Sequence, residues 1–91
     1  MRFEWDEAKR AANLAKHGVD FAVVEGFDFE NVLVVPDERR NYQEARQIAL
    51  GLIGTRLHVL VFTGRGGVVR VISLRKANKH EAKTYDNYQK D

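Results

Sequence analysis

The chain has 91 residues, 44% of them hydrophobic, enough for one small core, and its lack of cysteine excludes disulfides, thiol catalysis and zinc–thiolate sites. Its net charge of +2 divides unevenly: residues 1–55 hold seven Lys/Arg against ten Asp/Glu, and residues 56–91 hold eight against three, with His58 and His80 besides. A basic C-terminal half suits a polyanionic partner, although a solvated charged surface gives the same count.

No apolar run approaches the ~20 residues that span a bilayer. Met1-Arg2-Phe3-Glu4-Trp5-Asp6 has acidic residues where a signal peptide needs an apolar stretch, so the expected location is the cytoplasm. A domain this small buries only roughly 60–65% of its unfolded surface, so a partner covering part of it would matter.

Phe3–Trp5 reads as a short opening strand. Asp6 as N-cap and Gly18 as terminator bracket a helix over about residues 7–17. Within it Ala8, Ala11, Ala12 and Ala15 form a narrow face suited to close packing, and Lys9, Asn13, Lys16 and His17 share another. Asp20 caps a predicted second helix with Phe21, Val24 and Phe27 or Phe29 as its apolar stripe. Val32–Val35 is a strand closed by Pro36, the only proline. The polar run 37–44 leads to a strand at about 45–53, Gly54-Thr55-Arg56 is a turn, and Leu57–Thr63 has the nearly continuous apolar character of a central strand. Gly64-Arg65-Gly66-Gly67 makes a tight connection, pairing Val68–Leu74 back as a hairpin. Asn78-Lys79-His80-Glu81 fits a capping box for a last helix, with Ala82, Tyr85 and Tyr88 on its apolar side. The order β-α-α-β-β-β-β-α predicts one α+β domain over residues 1–91, with a mostly antiparallel sheet of about four to five strands, two N-terminal helices and a C-terminal helix.

The chemistry-bearing residues are mainly cations. Period-two alternation puts Val69, Val71, Ser73 and Arg75 on one face of the last strand and Arg70, Ile72 and Leu74 on the other. Arg75 and Lys76 sit where that strand leaves the sheet, and Arg65 lies in the turn at its other end. Solvated charge or ion pairing is the competing account of all of them. His17, His58 and His80 are scattered without metal-ligand spacing, the glycine-rich turn lacks the frame of a Walker loop, and Ser73, the only serine, sits in no nucleophile elbow. His58, opening a buried strand, reads as structural.

Phosphodiester cleavage in RNA can run on such groups. The substrate supplies its own 2′-hydroxyl nucleophile; the protein supplies a base, positive charge for the developing phosphorane, and an acid for the 5′-oxygen. Arginine forks suit the phosphorane, and a His or Lys pushed down by neighbouring cations suits the proton transfers.

One ordered set of segments is specific: Phe3-Glu4-Trp5-Asp6, Lys9, Asn13, Lys16-His17-Gly18-Val19, Phe21, Pro36-Asp37, Glu44, Arg46 and Gly51. It continues through Leu57, Val61, Thr63-x-Arg65-Gly66, Arg70-Val71-Ile72-Ser73, Arg75-Lys76-Ala77, Glu81 and Tyr85. In these the chain resembles the BrnT family, ribonuclease toxins of BrnT/BrnA type II toxin–antitoxin systems, over nearly its whole length. The resemblance implies a RelE-like fold, endoribonuclease activity that blocks translation, and a BrnA-like ribbon-helix-helix antitoxin. Through that antitoxin the complex would reach operator DNA and repress its own operon. Carried onto this sequence, it favours Lys16, His17, Arg65, Arg75 and Lys76 as the RNA-facing set, with Glu44 and Arg46 as supports. The chain departs from the pattern at Arg40-Asn41, where many relatives have His followed by Ser or Asp, and at Gln43, Leu74 and Asn78.

The candidate catalytic residues are therefore His17, Arg65, Arg75, Lys76 and Glu44, with Lys9, Lys16, Arg46, Arg70 and Lys79 contacting RNA, and no metal or other cofactor. Two readings stand for His17, proton transfer or capping of the first helix. Glu44 is either a base or the ion-pair partner of Arg46 or Arg75. Trp5 and Tyr85 are read as packing residues in preference to base-stacking platforms. A non-enzymatic basic module of a protein–DNA repressor is the alternative to the enzyme.

Overall fold

The computed structural model describes residues 1–90. In chain order the elements are β1 (Arg2–Glu4), α1 (Glu7–His17), a 3₁₀ helix (Phe21–Gly26), β2 (Leu33–Pro36), β3 (Gln47–Ile53), β4 (Arg56–Arg65), β5 (Val68–Lys76) and α2 (Lys79–Lys90). The fold is α+β, built on a five-stranded sheet of order β1-β5-β4-β3-β2.

The predicted caps are in place. Asp6 accepts a hydrogen bond from the Lys9 N–H at 3.1 Å, and Gly18, at φ 71°, closes α1 with its N–H on Leu14 O at 2.9 Å. At α2 the capping box is complete: Glu81 N–H donates to Asn78 Oδ1 at 2.8 Å, and Asn78 N–H to Glu81 Oε1 at 2.9 Å. The β4–β5 hairpin turns on Gly66 and Gly67, at φ 52° and 82°, and Gly64 and Arg65 extend β4.

Two parts of the predicted architecture are corrected. The sheet is mixed, because β1 runs parallel to β5, with Phe3 opposite Val69. No hairpin joins these two strands; residues 5–67 lie between them, so no turn imposes antiparallel pairing. The second N-terminal helix is a six-residue 3₁₀ turn instead of an α-helix. Asp20 does cap it, accepting from the Ala22 N–H at 3.0 Å. It ends where Phe27 bridges to Ile53 and lays its ring on Gly51, where a Cβ would stand 2.6 Å from the ring. That docking overrides the helical spacing of the apolar residues.

The core lies on one face of the sheet. Phe21 and Val24 of the 3₁₀ helix pack with Val19 and Phe27 on Ala49, Leu60, Val71 and Leu74. Trp5 meets Phe21 edge-on at 6.1 Å, and so serves packing. Tyr85 is buried with its hydroxyl donating to Asn31 O at 2.5 Å, and buried His58 has Nδ1 2.8 Å from Arg56 O.

The alanine face of α1 does not pack: all four alanines are exposed, and Asn13 is the only buried residue of the helix. Its amide donates to Val19 O at 3.0 Å and Leu74 O at 2.7 Å, and accepts from Leu74 N–H at 3.2 Å. A polar side chain, in place of an apolar stripe, fixes α1 to β5.

Asn13→Ala should therefore destabilise the protein by about 2–4 kcal/mol, because it strands a buried N–H and two carbonyls. Urea unfolding followed by circular dichroism measures this. A loss under ~1 kcal/mol would show that the amide is not the anchor.

Candidate functional site

A β-bulge assembles the site. The β4–β5 register pairs Val61 with Ser73 but Phe62 with Val71, leaving Ile72 as the extra residue. Past the bulge the strand's facing is inverted. Val71 and Leu74, three residues apart, both enter the core. Arg70 and Arg75, which simple alternation puts on opposite faces, come to share the face turned away from it.

Register defines that outer face as rows across the strands. One row reads Glu4, Arg70 and Thr63, and one rung beyond Gln47↔Phe62 it continues through Arg46 to Asp37, whose N–H donates to Arg46 O at 2.8 Å. Another reads Arg75, Val59, Leu50 and Leu33. Four residues of β4 separate Thr63 from Val59, about 13 Å at ~3.3 Å per residue.

Most arginines here are held by carboxylates. Arg75 donates to Glu81 through both terminal nitrogens, at 2.8 and 2.7 Å. This fork keeps the Arg75 guanidinium above its ordinary pKa and the Glu81 carboxyl below its own. Arg65 bonds Glu44, and Arg70 lies 3.8 Å from Glu4. Glu44 thus pairs with neither Arg46 nor Arg75.

The loop between β2 and β3 is tied down by Asp37, whose side chain is fully enclosed. Its carboxylate accepts from Arg39 Nε and Nη2, both at 2.8 Å, from the Arg39 N–H at 3.2 Å, and from the Tyr42 hydroxyl at 3.2 Å. The Arg39 bonds hold its pKa well below the usual carboxylate range. Tyr42, so placed, stacks on the Arg46 guanidinium at 4.0 Å. Sequence reasoning missed Asp37, Tyr42 and Thr63 as parts of this surface; the Pro36-Asp37-x-Arg39 spacing was the available signal.

At the open edge of β5, Lys9, Lys16 and His17 of α1 line a shallow cavity of about 300 Å³ with Ile72 and Ser73. Burial, then the charges of Lys16 and Arg75, lower the His17 pKa below its ordinary value. The ring is therefore a neutral imidazole near pH 7. Gly18 closes the helix with its N–H on Leu14 O, and His17 lies in the last turn just before it.

Lys76 and Lys79 stand apart from this grouping. Lys76 pairs in register with His58, on the face opposite Arg75, and exposed Lys79 begins α2 beside Arg56. Among the described residues, no three His, Asp or Glu side chains converge as metal ligands. No described helix is long and apolar enough to cross a membrane.

A family model described as "Ribonuclease toxin, BrnT, of type II toxin-antitoxin system" matches residues 5–81. No curated protein matches the chain.

In an NMR titration, the His17 ring should titrate below the ordinary 6.5, and Arg75→Ala should raise its midpoint. The sign for stability follows. The unfolded ring binds its proton more tightly, so the His17 contribution is present above pH 6.5 and lost as pH falls through the folded value. A midpoint at or above 6.5 would contradict the placement of the ring.

Proposed function

The chain belongs to the BrnT family of ribonuclease toxins of type II toxin–antitoxin systems, and we propose that it is a metal-independent endoribonuclease whose active surface is the edge and outer face of β5. The observation that carries this reading is the bulge at Ile72. It puts Arg75 on the same face as Arg70 and Thr63, with a neutral imidazole at the adjoining edge. Neutral His17 takes the proton of the RNA 2′-hydroxyl, and the freed oxygen bonds to the neighbouring phosphorus to close the 2′,3′-cyclic phosphate. The P–O5′ bond breaks, the leaving 5′-oxygen taking its proton from water. Arg75, oriented by Glu81, stabilises the charge that develops on the phosphorane, and Arg65 and Lys16 add positive potential. Lys9, Arg46 and Arg70 hold the flanking strand, and Lys76 and Lys79 extend the contact beyond the end of β5. Glu44 positions Arg65.

On this reading the fold is RelE-like, the protein works in the cytoplasm, and its cleavage arrests translation. Its partner is a ribbon-helix-helix antitoxin that lies across the same cations. Occlusion of the basic site is the simplest means of silencing it, and the joint complex would carry the toxin to operator DNA.

Purified protein incubated with RNA in EDTA should cleave it and leave 2′,3′-cyclic phosphate ends. Arg75→Ala, checked for folding by circular dichroism, should lower the rate on the order of 10²–10³-fold, the usual effect of removing a transition-state donor. Activity abolished by EDTA would overturn the metal-independent mechanism. RNA left intact by the wild-type protein in any buffer would favour a non-enzymatic binding module, and full activity in Arg75→Ala would remove Arg75 from the site.

A further inference from the structure

Arg39, Arg65, Arg70 and Arg75 each have a carboxylate within 4 Å, but Arg46 has none among the described residues. Its Nε is buried without a hydrogen-bond partner. So is the hydroxyl of Thr63, only 2% exposed, which stands one rung beyond the Gln47↔Phe62 pair on the side of Arg46. Buried polar groups are ordinarily paired, because an unpaired one carries the full cost of its desolvation. Stacking under Tyr42 stabilises the face of the guanidinium, but the N–H groups lie in its plane and remain unused.

Two adjacent cavities, of about 390 and 490 Å³, share Tyr42, Glu44 and Arg46 in their walls, and Arg65 lines the larger. The carboxylates nearby are committed, Glu44 to Arg65 and Asp37 to Arg39 and Tyr42. What the place lacks is an acceptor with several oxygens and negative charge.

We propose that Arg46, stacked on the Tyr42 ring, and the buried hydroxyl of Thr63 form a phosphate subsite for a nucleotide flanking the cleaved bond. The proposal rests on the ribonuclease reading for the identity of its ligand, a phosphodiester of the RNA strand. The Arg46 fork grips two phosphate oxygens and the Thr63 hydroxyl donates to one of them. Arg75 turns toward α2 from a row about 13 Å away, measured at ~3.3 Å per residue along β4, so one phosphate does not occupy both places. The strand is thereby held across β4 and β5 by at least two anion contacts, and the second sets which phosphodiester reaches Arg75 and His17.

The test begins with inorganic phosphate, titrated into the whole protein and followed by NMR. The Arg46 Nε–H and the Thr63 amide should shift saturably in the wild type, and Arg46→Gln should abolish the response. Thr63→Val removes an unpaired hydroxyl at nearly constant volume, so its melting temperature should hold or rise. Its phosphate affinity should nevertheless fall roughly 10-fold, as expected for one hydrogen bond to a charged group. In cleavage assays the same variant should raise KM for RNA more than it lowers kcat. Shifts confined to Arg75, Lys76 and Lys79, or unchanged phosphate affinity in Thr63→Val, would overturn the subsite. Phosphate binding at Arg46 in a protein that cleaves no RNA would leave the subsite standing and remove the ribonuclease reading.

Discussion

The site depends on one amide. The opening strand β1 stops at Glu4, and its last partner on β5 is Arg70, whereas β5 runs on to Lys76. Beyond Arg70 that edge of β5 has no neighbouring strand, and its peptide groups need partners. Asn13 supplies them at Leu74, giving and taking a hydrogen bond as a strand residue would, and ties the same side chain to Val19 O. The helix is thereby docked with its alanines facing solvent and its C-terminal turn against β5. Lys16 and His17 reach the edge of the sheet because Asn13, one helical turn earlier, is fixed there.

The bulge at Ile72 complements this anchor. An unbulged β5 would send Arg70 and Arg75 to opposite faces, one of them toward the core. The extra residue lets Val71 and Leu74 both fill the core while the arginines on either side of them face outward together. Packing and charge placement are satisfied by the same irregularity, and bulges commonly re-aim side chains beside active sites.

Local chemistry was legible in the sequence where it depends on neighbours in the chain. Asp6, Gly18, Asp20 and the Asn78–Glu81 box all cap as their spacing predicts, and the apolar run at Leu57–Thr63 is the central strand. Long-range choices were not legible. The parallel pairing of β1 with β5 joins residues more than sixty positions apart, and no turn signal encodes it. The bulge adds nothing to the pattern of Val68–Leu74 that distinguishes it from an alternating strand. The second helix failed as an α-helix because Phe27 found Gly51, a contact that periodicity within one segment cannot show. Similarly, Arg65, Arg70 and Arg75 were visible as part of a basic C-terminal half, but their carboxylate partners were not: Glu81 looked like a cap residue and is also the fork for Arg75.

That pairing bears on how a polyanion is received. Arg65 and Arg70 sit in exposed or half-exposed ion pairs, each of the kind that contributes about 0–1 kcal/mol. Such pairs cost little to exchange, and a phosphate brings more charge and more acceptor oxygens than the carboxylate it replaces. Until then the carboxylates restrict where each guanidinium points. Arg75 is more firmly held, with a bidentate fork, about a third of its side chain exposed and Glu81 fixed in turn by the α2 cap. Its orientation is set before any RNA arrives, which favours a residue that must meet charge developing in a transition state over one that merely follows the strand. The outer face thus has three kinds of cation: Arg65 and Arg70 with exchangeable partners, Arg46 with no carboxylate partner among the described residues, and Arg75, whose partner keeps it aimed.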